Sequence, residues 1–358
     1  MTNASDIWSQ FCYDLEQAGA TVLKSDLAGS KTDKAEGLRY LTRLLRVGLD
    51  MNLENADPAF PSFYQASHKT AKIGSDNPDN YYQNATISGD HTYRIWGHRG
   101  SVPILSFGTK ANRYAIDGTM ASTGEIDIRE VKTEADGSFE IFVSQKKQGE
   151  NWLPTEADSS ILIVRQTFID RNFEMAAIVN IECIDSPENP PLLTYNAIDQ
   201  ALKTVPAFVA GTASTFIHWA ELFRKENRNS LNTVDQSMFF KAGGDPMIYY
   251  LHGWWELSED EYLQIDTGVP NCETWNFQIN NVWMESLDYR YHTIHTNKAL
   301  ANYNLDGSVT VCVGANRPPV AKNWIDTAGH NHGTMLWRWT GAREHPIPNV
   351  QILKMEKA

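Results

Sequence analysis

Asp326 and His330 share a short run, Trp324-Ile325-Asp326-Thr327-Ala328-Gly329-His330, and His332 follows closely. An Asp that orients an imidazole of near-neutral pKa is a workable general acid or base. The bland counterpart has Asp326 capping a turn and His330 bonded to a backbone carbonyl. If the segment is extended, His330 and His332 point the same way, as metal ligands do, with a third ligand from His292, His295 or His252. Gly329 and Gly333 bracket the pair and favour a loop, so no metal and no cofactor is assigned.

Glu285, Asp288 and Arg290 form a second polar group within the aromatic run from Trp275 to Tyr291. On a strand, Asp288 and Arg290 share a face. Arg290 then holds a substrate oxygen while Asp288 or Glu285 partners His330; the alternative is a salt bridge fixing the strand. Of the 11 Trp, seven lie at 254, 255, 275, 283, 324, 337 and 339, and of the 10 His, six lie at 252, 292, 295, 330, 332 and 345. Flat rings with a few polar groups make a ligand pocket, so Trp254, Trp255, Trp275, Trp283, Tyr291 and His332 are the expected substrate-binding set. The run Tyr249 to Glu256 is dense enough in rings to line a cleft and reads better as a sandwich-core strand.

These residues sit in the second of two copies. Tyr81-Tyr82 returns as Tyr249-Tyr250, Phe107 as Phe277, Asp136-Gly137-Ser138 as Asp306-Gly307-Ser308, Asn151-Trp152 as Asn323-Trp324 and Arg165 as Arg338, all offset by about 170 residues. What both copies hold reads as architecture, which covers Trp152, Trp324, Arg165 and Arg338. What one copy lacks reads as function: Pro154 stands where the second copy has Asp326, and Met120 where it has Arg290.

The elements that must carry them follow from periodicity. Asp33 and Glu36 make a capping-box-like start, and Leu38, Leu41, Leu45 and Leu49 predict a helix from about Lys34 to Leu53. Prolines from Pro58 to Pro78 predict a linker. Short alternating runs such as Phe139-Glu140-Ile141-Phe142-Val143, separated by Asp-Gly turns, predict antiparallel sandwiches. The expected fold is mainly β with α additions: a helical segment over 1–78, a first sandwich over 79–188, a helical linker over 189–244 and a second sandwich over 245–358.

A formal charge of -13 argues against nucleic acid, whose phosphates require clustered Lys and Arg. No apolar stretch reaches the ~20 residues of a membrane helix, and the N-terminus has no signal-peptide pattern, so the expected address is cytoplasmic. Cys12, Cys183, Cys272 and Cys312 are widely spaced and read as buried thiols.

The stretches Trp283 to Arg290, Asn323 to His330 and Gly333 to Trp339 resemble the bacterial domain-of-unknown-function family 1214. Asn80-Tyr81-Tyr82, Asp90 to Arg94 and Asn151 to Pro154 are similar to the preceding half of its longer members. The resemblance implies two tandem jelly-roll-like sandwiches, similar in outline to those of peptide N-glycanase and the copper hydroxylases, and it implies no reaction. The residues themselves point to an acid–base enzyme of hydrolase or lyase type, acting on a small neutral organic or glycosidic molecule in an aromatic pocket of the second sandwich. His330, Asp326, Asp288 and Glu285 are its expected catalytic groups. A carbohydrate- or lipid-binding jelly roll without catalysis is the alternative, and a His-ligated metal enzyme a third. The expected partner is a small molecule, and a homo-oligomer is left open.

Overall fold

The computed structural model describes residues 3–355. Helix α1 (Ala4–Leu23) begins where the Asn3 side chain accepts the N–H of Asp6. Helix α2 (Lys31–Leu49) begins at Ser30, whose hydroxyl accepts from Asp33 N while the Asp33 carboxylate accepts from Ser30 N, and it ends in a π-turn, Asp50–Glu54. The expected helix therefore starts earlier than Lys34. Its box closes between Ser30 and Asp33, not Asp33 and Glu36, because Glu36 faces a distant histidine.

Residues 55–79 hold no helix or strand beyond isolated bridges, yet they are not a solvated linker. Lys72, Ser75, Asp76, Asn77 and Asp79 are buried there, because they satisfy polar groups of the second copy.

The first sandwich comprises β1 (Asn80–Thr86), β2 (Tyr93–His98), β3 (Ile104–Arg113), β4 (Thr119–Asp127), β5 (Ser138–Ser144), β6 (Trp152–Pro154), β7 (Ile161–Thr167) and β8 (Ile178–Cys183). Then come α3 (Tyr195–Glu226), β9 (Asn232–Thr233) and α4 (Gln236–Lys241). The second comprises β10 (Ile248–Glu256), β11 (Glu261–Thr267), β12 (Thr274–Ile279), β13 (His295–Asn297), β14 (Val309–Gly314), β15 (Asn323–Asp326), β16 (His332–Thr340) and β17 (Asn349–Lys354).

The sheet orders are β1-β7-β3-β4 and β6-β5-β2-β8 in the first sandwich, and β13-β12-β16-β10-β9 and β15-β14-β11-β17 in the second. Reading β1 to β8 onto β10 to β17 reproduces every neighbour, with β9 the sole addition. Even the parallel pair recurs, β5 with β6 and β14 with β15. The duplication is thus structural, and the shared Asn-Trp pair has a shared job. Trp152 Nε1 donates to Ser144 O at 3.1 Å and Trp324 Nε1 to Gly314 O at 3.0 Å. The Asn151 amide donates to the Lys132 and Glu140 carbonyls, and the Asn323 amide to those of Asn302 and Thr310. Both pairs satisfy backbone groups beside a parallel strand that an antiparallel ladder would otherwise satisfy.

The run Ile161-Leu162-Ile163-Val164 is apolar throughout because β7 is covered on both faces. Leu162 and Val164 enter the sandwich core with Phe107 and Ile141. Ile161 and Ile163 point the other way, against Phe208 and Phe216 of α3. In the second copy Met335, Trp337 and Trp339 fill the sandwich while Leu336 and Trp254 face the helices. One helical layer therefore covers the outer faces of both β7- and β16-containing sheets. All four cysteines are free: Cys183, Cys272 and Cys312 are buried as expected, whereas Cys12 lies on the open side of α1. Among the described residues no helix is long and apolar enough to cross a membrane.

Candidate functional site

Helix α2 lies across the residues in which acid–base chemistry was expected. His330 Nε2 stands 3.0 Å from Glu36 Oε2 and its Nδ1 3.1 Å from the Thr327 carbonyl. Both neighbours accept, an arrangement that suits an imidazolium donating from both ring nitrogens. Burial opposes that charge, but the hydrogen bond and charge of Glu36 outweigh it and hold the His330 pKa above its usual value. His332 Nε2 meets Asp33 Oδ2 at 3.0 Å, its ring stacked on Trp254. Glu285 is fully buried and receives Arg43 at 2.6 Å and Asn281 at 3.0 Å. Its burial nevertheless keeps the carboxyl above the usual range, with Arg43 offsetting part of the effect.

Asp326 turns elsewhere, to His292 Nδ1 at 2.7 Å and to Ala328 N at 2.8 Å. Asp288 and Arg290 pair at 2.6 Å on an exposed turn rather than a strand, beside exposed Tyr291. Trp255 and Trp275 fill the sandwich core, while Trp254 and Trp283 pack under the helices. The expected set thus divides among a helix-docking face, two surface turns and a core. The acids of α2 decided this, and nothing local to the second copy announces them.

The structure instead brings together residues that the two copies share. Side chains alternate along a strand, so Arg165 projects to the same side as Ile161 and Ile163, and Arg338 to the same side as Leu336. Tyr82 stands opposite Arg165 in the β1–β7 register, and Tyr250 opposite Arg338 in the β10–β16 register. All four line one cavity of about 190 Å³ between the two sandwiches and the helical layer. Its walls are mainly apolar, with Met51, Ile73, Phe208, Phe216, Trp219 and Phe239 among them.

The phenols are set alike. Tyr82 Oη accepts from Asn77 N at 3.2 Å, and Tyr250 Oη accepts from Asp245 N at 3.0 Å. Each therefore retains its own proton to donate, and burial pushes both phenol pKa values up, which keeps them protonated. The arginines differ. Arg338 donates from Nη1 to Asn276 and Gln278 and from Nη2 to the Ser75 carbonyl. Arg165 gives Nη2 to the Gly243 carbonyl at 2.6 Å, but its Nη1 is buried with no partner. Neither guanidinium has a carboxylate within ion-pair distance among the described residues; Asp245 and Asp76 act on them only through space. His252, stacked between Phe223 and Phe239, has an unpartnered Nδ1, and burial together with Arg338 holds its pKa well below the usual value, so the ring is neutral.

A more open cleft lies beyond Tyr82, lined by Tyr81, Arg171, Tyr289 and His295. There His295 Nε2 meets Asp79 Oδ1 at 3.1 Å, and Asn276 and Asn297 fix the Asp79 carboxylate. Sequence comparison of the copies set Arg165 aside because it recurs. The available signal was the pairing of a recurring Tyr with a recurring Arg, both too polar for a sandwich core.

Among proteins of known structure, an uncharacterized protein from Burkholderia cenocepacia is 45% identical, with a TM-score of 0.95 over 98% of this chain and 97% of its own. A protein from Vibrio parahaemolyticus at 13% identity shares the fold, with a TM-score of 0.51 over 96% of this chain and 99% of its own. No curated protein matches. A family model described as a protein of unknown function matches residues 79–167 and 258–344, once in each sandwich. With one match per copy and a close relative along nearly its whole length, the chain belongs to the DUF1214 family.

Proposed function

We propose that this protein binds a small, mainly apolar molecule carrying a carboxylate or carbonyl oxygen in the cavity between its two sandwiches. The observation that carries the reading is Arg165 Nη1, a buried donor without an acceptor at the wall of that cavity. Leaving such a donor unpaired costs about 1–3 kcal/mol or more, which a ligand oxygen recovers. Tyr82 and Tyr250 add two more donors, so the polar end matches an acceptor, and the rings of α3 and α4 match an apolar body.

Titration calorimetry with a panel of aryl and medium-chain carboxylates, each against its alcohol analogue, tests this. The expected result is one-to-one binding of an acid or carbonyl compound that weakens roughly tenfold or more in Arg165→Met and in the Tyr82→Phe, Tyr250→Phe double variant. Equal affinity for acid and alcohol, or affinity unchanged in both variants, overturns it.

Acid–base turnover at His330 has little support, since both its nitrogens are engaged and α2 covers it. A hydrolase- or lyase-type reading is better served by His295, which Asp79 orients at the neighbouring cleft. Loss of turnover with retained binding in His295→Gln is the outcome that favours it, and unchanged turnover removes it.

A further inference from the structure

We propose that His91, Cys183 and Asp185 form a binding site for a borderline-soft divalent cation, with Zn²⁺ as the reference ion. The site lies on the first sandwich, away from the junction cavity, and is independent of it. Its geometry follows from strand register. Tyr93 stands opposite Cys183 in the β2–β8 ladder, and continuing that antiparallel pairing sets His91 opposite Asp185. Because side chains alternate, these residues share one face of the sheet end.

One ligand atom from each of the three lies within 4.8 Å of the other two. The Asp185 carboxylate oxygen stands 3.0 Å from His91 Nδ1 and 3.0 Å from Cys183 Sγ. Zinc bonds of about 2.0–2.3 Å at tetrahedral angles require ligand separations of roughly 3.3–3.8 Å, so the two contacts to Asp185 open by a few tenths of an ångström while His91 and Cys183 settle around the ion. The second Asp185 oxygen faces the Thr92 N–H, and Ile184 N donates to the Thr92 carbonyl, which together anchor the loop carrying the site. His91 and Asp185 are partly open to solvent, leaving room for water as a fourth ligand.

Thiolate, imidazole and carboxylate together are the donor set of zinc rather than of magnesium or calcium. In the free protein the Cys183 S–H donates a hydrogen bond to Asp185. On metal binding that proton leaves to solvent as the metal–sulfur bond forms, with no change of oxidation state. The second sandwich supplies the control. There Glu261 faces Lys354 at the positions of His91 and Asp185, and Ile352 stands at that of Cys183. The fold is therefore built without the triad, and its presence in one copy has another reason.

The test uses the full chain, reduced and stripped with chelator, then titrated with Co²⁺ and Zn²⁺ under calorimetry and absorption spectroscopy. The expected result is one equivalent bound with a thiolate-to-cobalt charge-transfer band. That band vanishes in Cys183→Ser and binding weakens at least tenfold in His91→Asn and in Asp185→Asn, whereas Cys12→Ser leaves both unchanged. Absence of stoichiometric binding, or a band that persists in Cys183→Ser or disappears in Cys12→Ser, overturns the site. The two variants that keep Cys183 make the result independent of whether its replacement disturbs packing.

Discussion

The indole of Trp283 lies directly over Gly37, so close that a β-carbon at position 37 would come within 2.8 Å of Trp283 Cζ2. The same indole donates its N–H to the Asp33 carbonyl at 2.9 Å. One aromatic of the second sandwich thus seats on a helix near the start of the chain, in a groove that only glycine leaves open.

Gly37→Ala therefore destabilises, although glycine to alanine in a helix ordinarily stabilises by about 0.5–1 kcal/mol. Forcing a methyl group against a buried indole costs about 1–3 kcal/mol. Urea denaturation checks the sign, and a stabilised variant would mean that α2 can shift away from the sheet.

Docking of α2 should depend on pH. The raised His330 pKa contributes stability that is full below its ordinary value of about 6.5 and is lost as pH rises through the folded-state value. Burial opposes the ionisation of Glu36, but His330 and Arg39 outweigh it and lower its pKa, so its contribution is present above about 4.5 and is lost as pH falls. The melting-temperature advantage of the wild type over Glu36→Gln should peak between these limits and shrink on either side. A flat difference from pH 4 to 9 would count against the pair.

Arg43 and Glu285 make a buried ion pair at 2.6 Å. Arg43→Met leaves Glu285 uncompensated and should cost about 3–5 kcal/mol, and adding Glu285→Gln should recover part of that loss. A double variant less stable than Arg43→Met would indicate that Glu285 works through Asn281 instead.

The Asn-Trp pairs allow one substitution to be compared in two settings. Asn323 is buried and Asn151 half-buried, while each makes the same three backbone contacts. Asn323→Ala should thus cost about 1–3 kcal/mol and Asn151→Ala less, measured by chemical denaturation.

The duplication, the two antiparallel sandwiches and the helices around them were legible in the sequence. They rest on local regularities: alternation over a few residues, Asp-Gly turns, and a recurrence that survives small insertions. The roles of Trp152 and Trp324 were legible for the same reason, because the hydrogen bonds that use them close within the parallel-strand motif itself. Chemistry was not. His330 and Glu36 are separated by 294 residues, and their pairing depends on where α2 settles against the second sandwich. The same packing buried Glu285 and Trp283, tied His330 to Glu285 through Glu36 and Asn281, and left the Asp288–Arg290 and Asp326–His292 pairs outside that network. It also left Nη1 of Arg165, a repeated architectural residue, buried without an acceptor, since whether a guanidinium is satisfied is set by the groups packed around it and not by its neighbours in the chain.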